Sequence, residues 1–176
     1  MTRDKPPRDE DQLRQDVNAA GLKWEIDHGG VRMHILKYDA YLKYGIFGHF
    51  QFAGDHVPFC ETLSHAYQVE GTYQPIVMPG TYTCVRGMHR LQDGVPFETF
   101  EITGIAGHSG LLFHPLNYNH DSHGCTGLGA ARVRYDSNRD GKLTEMDDEM
   151  ITSSRVTFKA WMERLRGVDS FILQVV

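Results

Sequence analysis

The residues richest in chemistry lie between Leu111 and Cys125, in the string LLFHPLNYNHDSHGC. An apolar, strand-like run ends at His114. A polar loop with Asn117, Asn119, His120 and Asp121 follows, and it closes on Ser122, His123, Gly124 and Cys125. A thiol beside a glycine, with imidazoles within eleven positions, is the raw material of a cysteine nucleophile. The thiolate is the attacking species, so a neighbouring histidine must take the thiol proton. Gly124 permits a sharp backbone turn that aims the Cys125 N–H at an oxyanion forming on a carbonyl substrate. His114 is one candidate for the base. His123 and His120 are alternatives that spacing does not separate. The competing reading is a cysteine buried for packing alone, since free cysteine is among the most buried residue types.

A second motif, DSNRDGKLTEMD, spans Asp136 to Asp147. Oxygen donors fall at loop positions 1, 3 and 5 (Asp136, Asn138, Asp140), glycine at 6 (Gly141), an apolar residue at 8 (Leu143), Thr144 at 9 and Asp147 at 12. This is the pattern of an EF-hand calcium loop, in which a tight turn wraps carboxylates and one backbone carbonyl, here that of Lys142, around a hard cation. The expected cofactor is therefore Ca²⁺. Asp at position 12 is shorter than the usual Glu, Arg139 and Lys142 reduce the negative charge, and no amphipathic helix enters the loop.

The S-H-G-C string, with a histidine upstream at the end of an apolar strand, resembles the catalytic signature of L,D-transpeptidases. Those are β-rich domains whose cysteine is acylated by peptidoglycan stem peptide. The resemblance implies Cys125 as nucleophile, His114 as general base, and Ser122, His123 and Gly124 as the frame of the oxyanion loop. Gly127 stands where that family usually has Arg or Asn, and the His-to-Cys spacing of eleven is shorter than usual there. A second likeness covers more of the chain. Pro79-Gly80-Thr81-Tyr82, then LLFHPLN, then DSHGC, then a terminal helix and strand, is similar to a small domain of unknown function common in phage and prophage genomes. Together they imply a peptidoglycan-acting cysteine enzyme carried by a phage particle, cleaving stem peptides rather than cross-linking them. The alternative is a non-catalytic tail or baseplate subunit that uses the same fold and calcium loop.

Composition bounds these readings. With 40% hydrophobic and 23% charged residues, the 176-residue chain is expected to be one globular domain with a substantial core. A net charge of −5 argues against a nucleic-acid partner bound through a basic face. Three cysteines without a CxxC indicate neither a disulfide scaffold nor a cysteine zinc site. The first residues contain no apolar signal core, and no apolar run approaches the ~18 residues of a membrane span. The chain is thus expected to be made in a host cytoplasm without a signal peptide and then associated with the virion. Residues 1–22 read as a polar arm lying against other virion proteins.

The elements that must position the two motifs read as mainly β, an irregular sandwich or barrel over residues 23–176, with one C-terminal helix; α+β is the variant. Val31 to Leu36 and Tyr44 to Phe52 carry aromatic and β-branched residues, edged by turn material at Asp27-His28-Gly29-Gly30 and Gly54-Asp55. Phe59 to Leu63 is a further short strand, and QVEGTYQPIVMPG reads as a loop. GTYTCVRGMHR and PFETFEITG form a hairpin through Gln92-Asp93-Gly94, and LLFHP is the next strand. Phe158, Trp161, Met162 and Leu165 fall on one helical face, with candidate N-caps at Thr152-Ser153-Ser154, Arg164 and Arg166 near the end and Gly167 as the stop. SFILQVV is a terminal strand inserted in the sheet. His28, His34, His49, His56, His65, His89 and His108 are dispersed, without metal-triad spacing, and read as structural or surface residues.

Overall fold

The structure is a computed structural model that describes residues 32–91 and 94–176. The polar arm, the turn at 27–30 with His28, Val31 and the Gln92-Asp93 turn lie outside the described residues.

Among the described residues, eleven strands and one α-helix follow one another as β1 (Met33–Leu42), β2 (Gly45–Gln51), β3 (Cys60–Ser64), β4 (Tyr67–Val69), β5 (Thr72–Gln74), β6 (Gly80–His89), β7 (Phe97–Thr103), β8 (Thr126–Gly129), β9 (Arg132–Arg134), β10 (Glu149–Ile151), α1 (Ser154–Arg164) and β11 (Ser170–Val175). Seven form one sheet in the order β7-β6-β11-β1-β2-β3-β8. Only β1 and β11 run parallel in it. The expected mainly β fold with one helix is present, and the terminal strand does enter the sheet, between β6 and β1.

LLFHP is not a full strand, yet it matters more than one. Its backbone bridges the two edges of the sheet, pairing Leu112 with Glu101 of β7 and Phe113 with Thr126 of β8. Ile102 N–H donates to Leu111 O at 2.7 Å, and Thr126 N–H donates to Leu112 O at 2.9 Å. The sheet therefore curls until both edges share one segment, which leaves neither edge unpaired there. Of the sandwich or barrel expected, the structure has one curled seven-stranded sheet, whose edges meet through the stretch that carries the chemistry.

Alternation accounts for the core. His34, Leu36 and Tyr38 of β1 face inward, while Lys37 and Asp39 face out. Inside, the fully buried Trp161 of α1 meets Phe50 (5.6 Å between ring centroids), Phe100 (5.5 Å) and Phe113 (4.9 Å) in tilted or edge-on contacts. The predicted helical face is the one that packs: Trp161 and Leu165 are buried, and Phe158 and Met162 pack against the same core. Ser153 is the N-cap residue, but its side chain makes no capping bond; its left-handed backbone (φ 54°) turns the chain instead. Across the sheet, Phe47, Leu63, Leu116 and Ile151 form a second, smaller core. A Cβ at Gly127 would lie 2.4 Å from Leu116 Cγ, so this core fills the place where the resembled family carries Arg or Asn.

Two stretches differ from expectation. The supposed loop QVEGTYQPIVMPG contains the β4–β5 hairpin, turned by Glu70 (φ 49°) and Gly71 (φ 82°), the paired positive φ of a type I′ turn. The calcium-type stretch is the long loop of a β9–β10 hairpin, flanked by strands on both sides.

Candidate active site

Cys125 lies at the start of β8, one residue before the ladder with β3 begins. Gly124 has φ +140°, and a Cβ there would meet Ile76 Cδ1 at 2.7 Å and Leu111 Cδ2 at 2.9 Å, so only glycine fits this turn. Ser122 locks it: its hydroxyl accepts Gly124 N–H and donates to Cys125 O, both at 3.3 Å. Among the described residues the Cys125 N–H meets no acceptor, so the loop presents it free, as an oxyanion donor requires.

The sulfur is held by backbone. Cys125 Sγ accepts Leu112 N–H at 3.3 Å and donates to Gly110 O at 3.7 Å. Burial pushes the thiol pKa up, opposed by the Leu112 N–H, which favours thiolate. The side chain is 9% exposed. Cys60 and Cys84 are also free and buried, and burial pushes the Cys60 thiol up to about 12.

Among the described residues no imidazole is hydrogen-bonded to this sulfur. His114, the expected base, donates from Nδ1 to the carbonyl of its neighbour Pro115 at 2.9 Å. Its Nε2 is buried with no partner, and burial holds its pKa below the usual histidine value. Register explains the separation. The parallel bridge Phe113–Thr126 sets Leu112 beside Cys125 and His114 beside Gly127, two residues or roughly 6.6 Å further along. His120 is exposed and stacks on Tyr118 at 5.2 Å.

His123 is exposed, and its ring lies 5.9 Å from that of His65. Tyr67 of β4 packs on His65 at 4.5 Å and donates its hydroxyl to His123 O at 2.5 Å. The Cys125 thiol is near enough to add to burial, the larger cause, in raising the Tyr67 pKa. His65 and Tyr67 are neighbours that local spacing missed, because one lies just after β3 and the other opens β4 of the separate β4–β5 sheet, far upstream of the cysteine. Below them Thr126, Ser64, Tyr38 and the Val77 carbonyl form a buried polar chain, with links of 2.8, 3.4 and 3.0 Å.

A groove of about 540 Å³ runs beside the loop, lined by Tyr67, Gln68, Val69, Ile76, His108 and His123 among others. Cys125 is not part of its lining; the thiol lies behind this wall, not on an open floor. The three successive β4 residues show that the groove follows the hairpin.

The calcium-type loop folds on itself as its sequence suggests, with Gly141 at φ +78° making the bend. Asp136 accepts N–H groups of Asp140 (3.1 Å) and Gly141 (2.9 Å), Asn138 accepts Asp140 N–H (2.9 Å), and Asp140 accepts Lys142 N–H (2.8 Å). These turns leave lone pairs on all three side chains, which suits a hard cation. Asp147 differs. Buried at 1% exposure, it takes Thr144 N–H and hydroxyl on one oxygen and Ser137 N–H and hydroxyl on the other. Its four acceptor sites are all used, so it staples the loop and does not fit as a twelfth-position ligand. Among the described residues no group of three or more His, Cys, Asp or Glu is gathered as a metal site. No helix among them is long and apolar enough to cross a membrane.

Comparison with protein families, with curated proteins and with solved structures returned no match.

Proposed function

We propose that this protein is a cysteine enzyme of acyl transfer to and from amides, acting on peptidoglycan stem peptides and carried by a phage particle. The observation that carries the chemistry is a Cys125 N–H without an acceptor among the described residues, beside a buried sulfur that bonds to the Leu112 N–H and the Gly110 carbonyl. The substrate and the setting rest on the two sequence resemblances. In the reaction an imidazole takes the thiol proton and the sulfur bonds to the substrate carbonyl carbon. The carbonyl oxygen, now negative, receives the Cys125 N–H. The C–N bond then breaks, the amine leaves with the proton from the imidazolium, and water releases the acyl group. In this reading the stem peptide would lie along the β4 groove, beside the loop that carries Cys125. A calcium ion held by Asp136, Asn138, Asp140 and the Lys142 carbonyl would brace the β9–β10 loop, with Asp147 as staple.

The test is purified protein on peptidoglycan, with mass spectrometry of released stem peptides. Cleavage that disappears in Cys125→Ala at unchanged melting temperature supports the enzyme. A second reading, the non-catalytic tail or baseplate subunit, is favoured by the burial of the thiol and by a His114 that bonds to Pro115 O and not to the sulfur. Under it Cys125→Ala lowers stability, and neither protein cleaves.

A further inference from the structure

The imidazole that serves Cys125 is open in the proposed reaction, and the sheet register selects one. The β3–β8 ladder ends at the pair Ser64–Thr126. Carried one residue further, the same antiparallel register sets His65 opposite Cys125. Opposite residues of an antiparallel pair share a face, with Cβ atoms about 4.5–5.5 Å apart, a span that a histidine and a cysteine side chain close between them. The bridge on the other side of β8 does the reverse for His114, leaving it beside Gly127.

Hydrogen bonding then assigns the proton on His65. Nδ1 lies 2.7 Å from the backbone carbonyl of Asn119. A carbonyl only accepts, so Nδ1 carries the hydrogen and Nε2 keeps the lone pair of a base. Asn119 holds the next residue as well, since Ala66 N–H donates to its Oδ1 at 2.8 Å. Asn119 belongs to the loop between His114 and Cys125, so the loop that presents the thiol also orients the ring opposite. Tyr67 closes the arrangement by packing on His65 and binding the His123 carbonyl. We propose that His65, not His114, draws the proton from Cys125, with Asn119 and Tyr67 as positioning residues.

This inference rests on the acyl-transfer reading, and one experiment separates their failures. Iodoacetamide labelling of Cys125 in the folded full chain is followed from pH 5 to 9 by peptide mass spectrometry. The expected wild-type profile has an inflection in the histidine range, with Cys125 labelled before Cys60 and Cys84. In His65→Gln the inflection disappears and the rate near neutrality falls on the order of tenfold or more, while His114→Gln keeps the wild-type profile. Loss of the inflection in His114→Gln alone overturns the assignment and leaves the enzyme standing. A wild-type Cys125 that labels no faster than Cys60 or Cys84 overturns both. Should His65→Gln fail to fold, ¹⁵N chemical shifts of the wild-type ring decide. A proton on Nδ1, with a titration that moves in Cys125→Ser, supports the proposal; a proton on Nε2 overturns it.

Discussion

His34 shows how one side chain can set the acid response of the domain. Its Nδ1 accepts Ala53 N–H at 2.9 Å, and its ring lies among Phe50, Phe52 and Phe171 at 5.7, 5.1 and 4.7 Å. Burial, with the positive charges of Arg32 and Arg164 behind it, lowers its pKa to about 3. The unfolded chain binds this proton near pH 6.5 and the folded chain does not, so the unfolded state holds more protons between those values. His34 therefore supports folding fully above about pH 6.5, and its contribution falls as pH drops toward 3, by on the order of 1.4 kcal/mol per unit. Urea titrations across this range should show a slope that flattens in His34→Phe; an unchanged slope would place the proton elsewhere. Asp147 acts in a lower window. Its pKa is depressed chiefly by the Thr144 N–H, with the Thr144 hydroxyl and Ser137 adding to it. Its contribution is present above the usual carboxylate value and lost as pH falls below it.

At the level of elements, the β4–β5 and β9–β10 hairpins form two-stranded sheets of their own outside the main sheet. Tyr67→Phe removes the hydroxyl bond to His123 O and should cost about 0.5–1.5 kcal/mol locally. The readout is faster amide exchange at residues 67–74 with the global melting temperature little changed; uniform exchange would show that the hairpin is held otherwise. For the loop, calcium binding to the folded chain alone raises stability by mass action. Added Ca²⁺ should raise the melting temperature, EDTA should reverse it, and Asp136→Asn should abolish the difference. A melt indifferent to both would remove calcium from this protein. Trp161 is the largest of the α1 side chains that anchor the helix in the core. Trp161→Ala should destabilise the domain by roughly 3–5 kcal/mol in urea unfolding, because the cavity among Phe50, Phe100 and Phe113 cannot collapse fully.

For the whole molecule, the last strand is central to the first half of the chain. β11 pairs in parallel with β1 and antiparallel with β6, so the sheet is incomplete until the C-terminus arrives. Deleting residues 170–176 should prevent folding, seen as loss of near-ultraviolet circular dichroism; a native-like spectrum would mean that β1 and β6 can pair without it. Closure depends in the same way on distant residues, since Leu111 to His114 must meet β7 and β8 at once.

The sequence by itself determined what is local. Strand alternation, the face of α1, the glycine turn at Gly124, the bend at Gly141 and the chemical types around Cys125 are all set by neighbours a few positions apart. The β4–β5 hairpin was read as a loop, because three-residue strands carry too little periodicity to stand out from one. Only the tertiary structure decided which imidazole stands opposite the thiol. Nearness in sequence favours His114, eleven residues from Cys125, while the β3–β8 register favours His65. The reason is geometric: an extended strand carries side chains away at about 3.3 Å per residue, so His114 is taken past the sulfur by the same strand that delivers it. Likewise Asp147 has the composition of a ligand, and its burial against Ser137 and Thr144 makes it a staple.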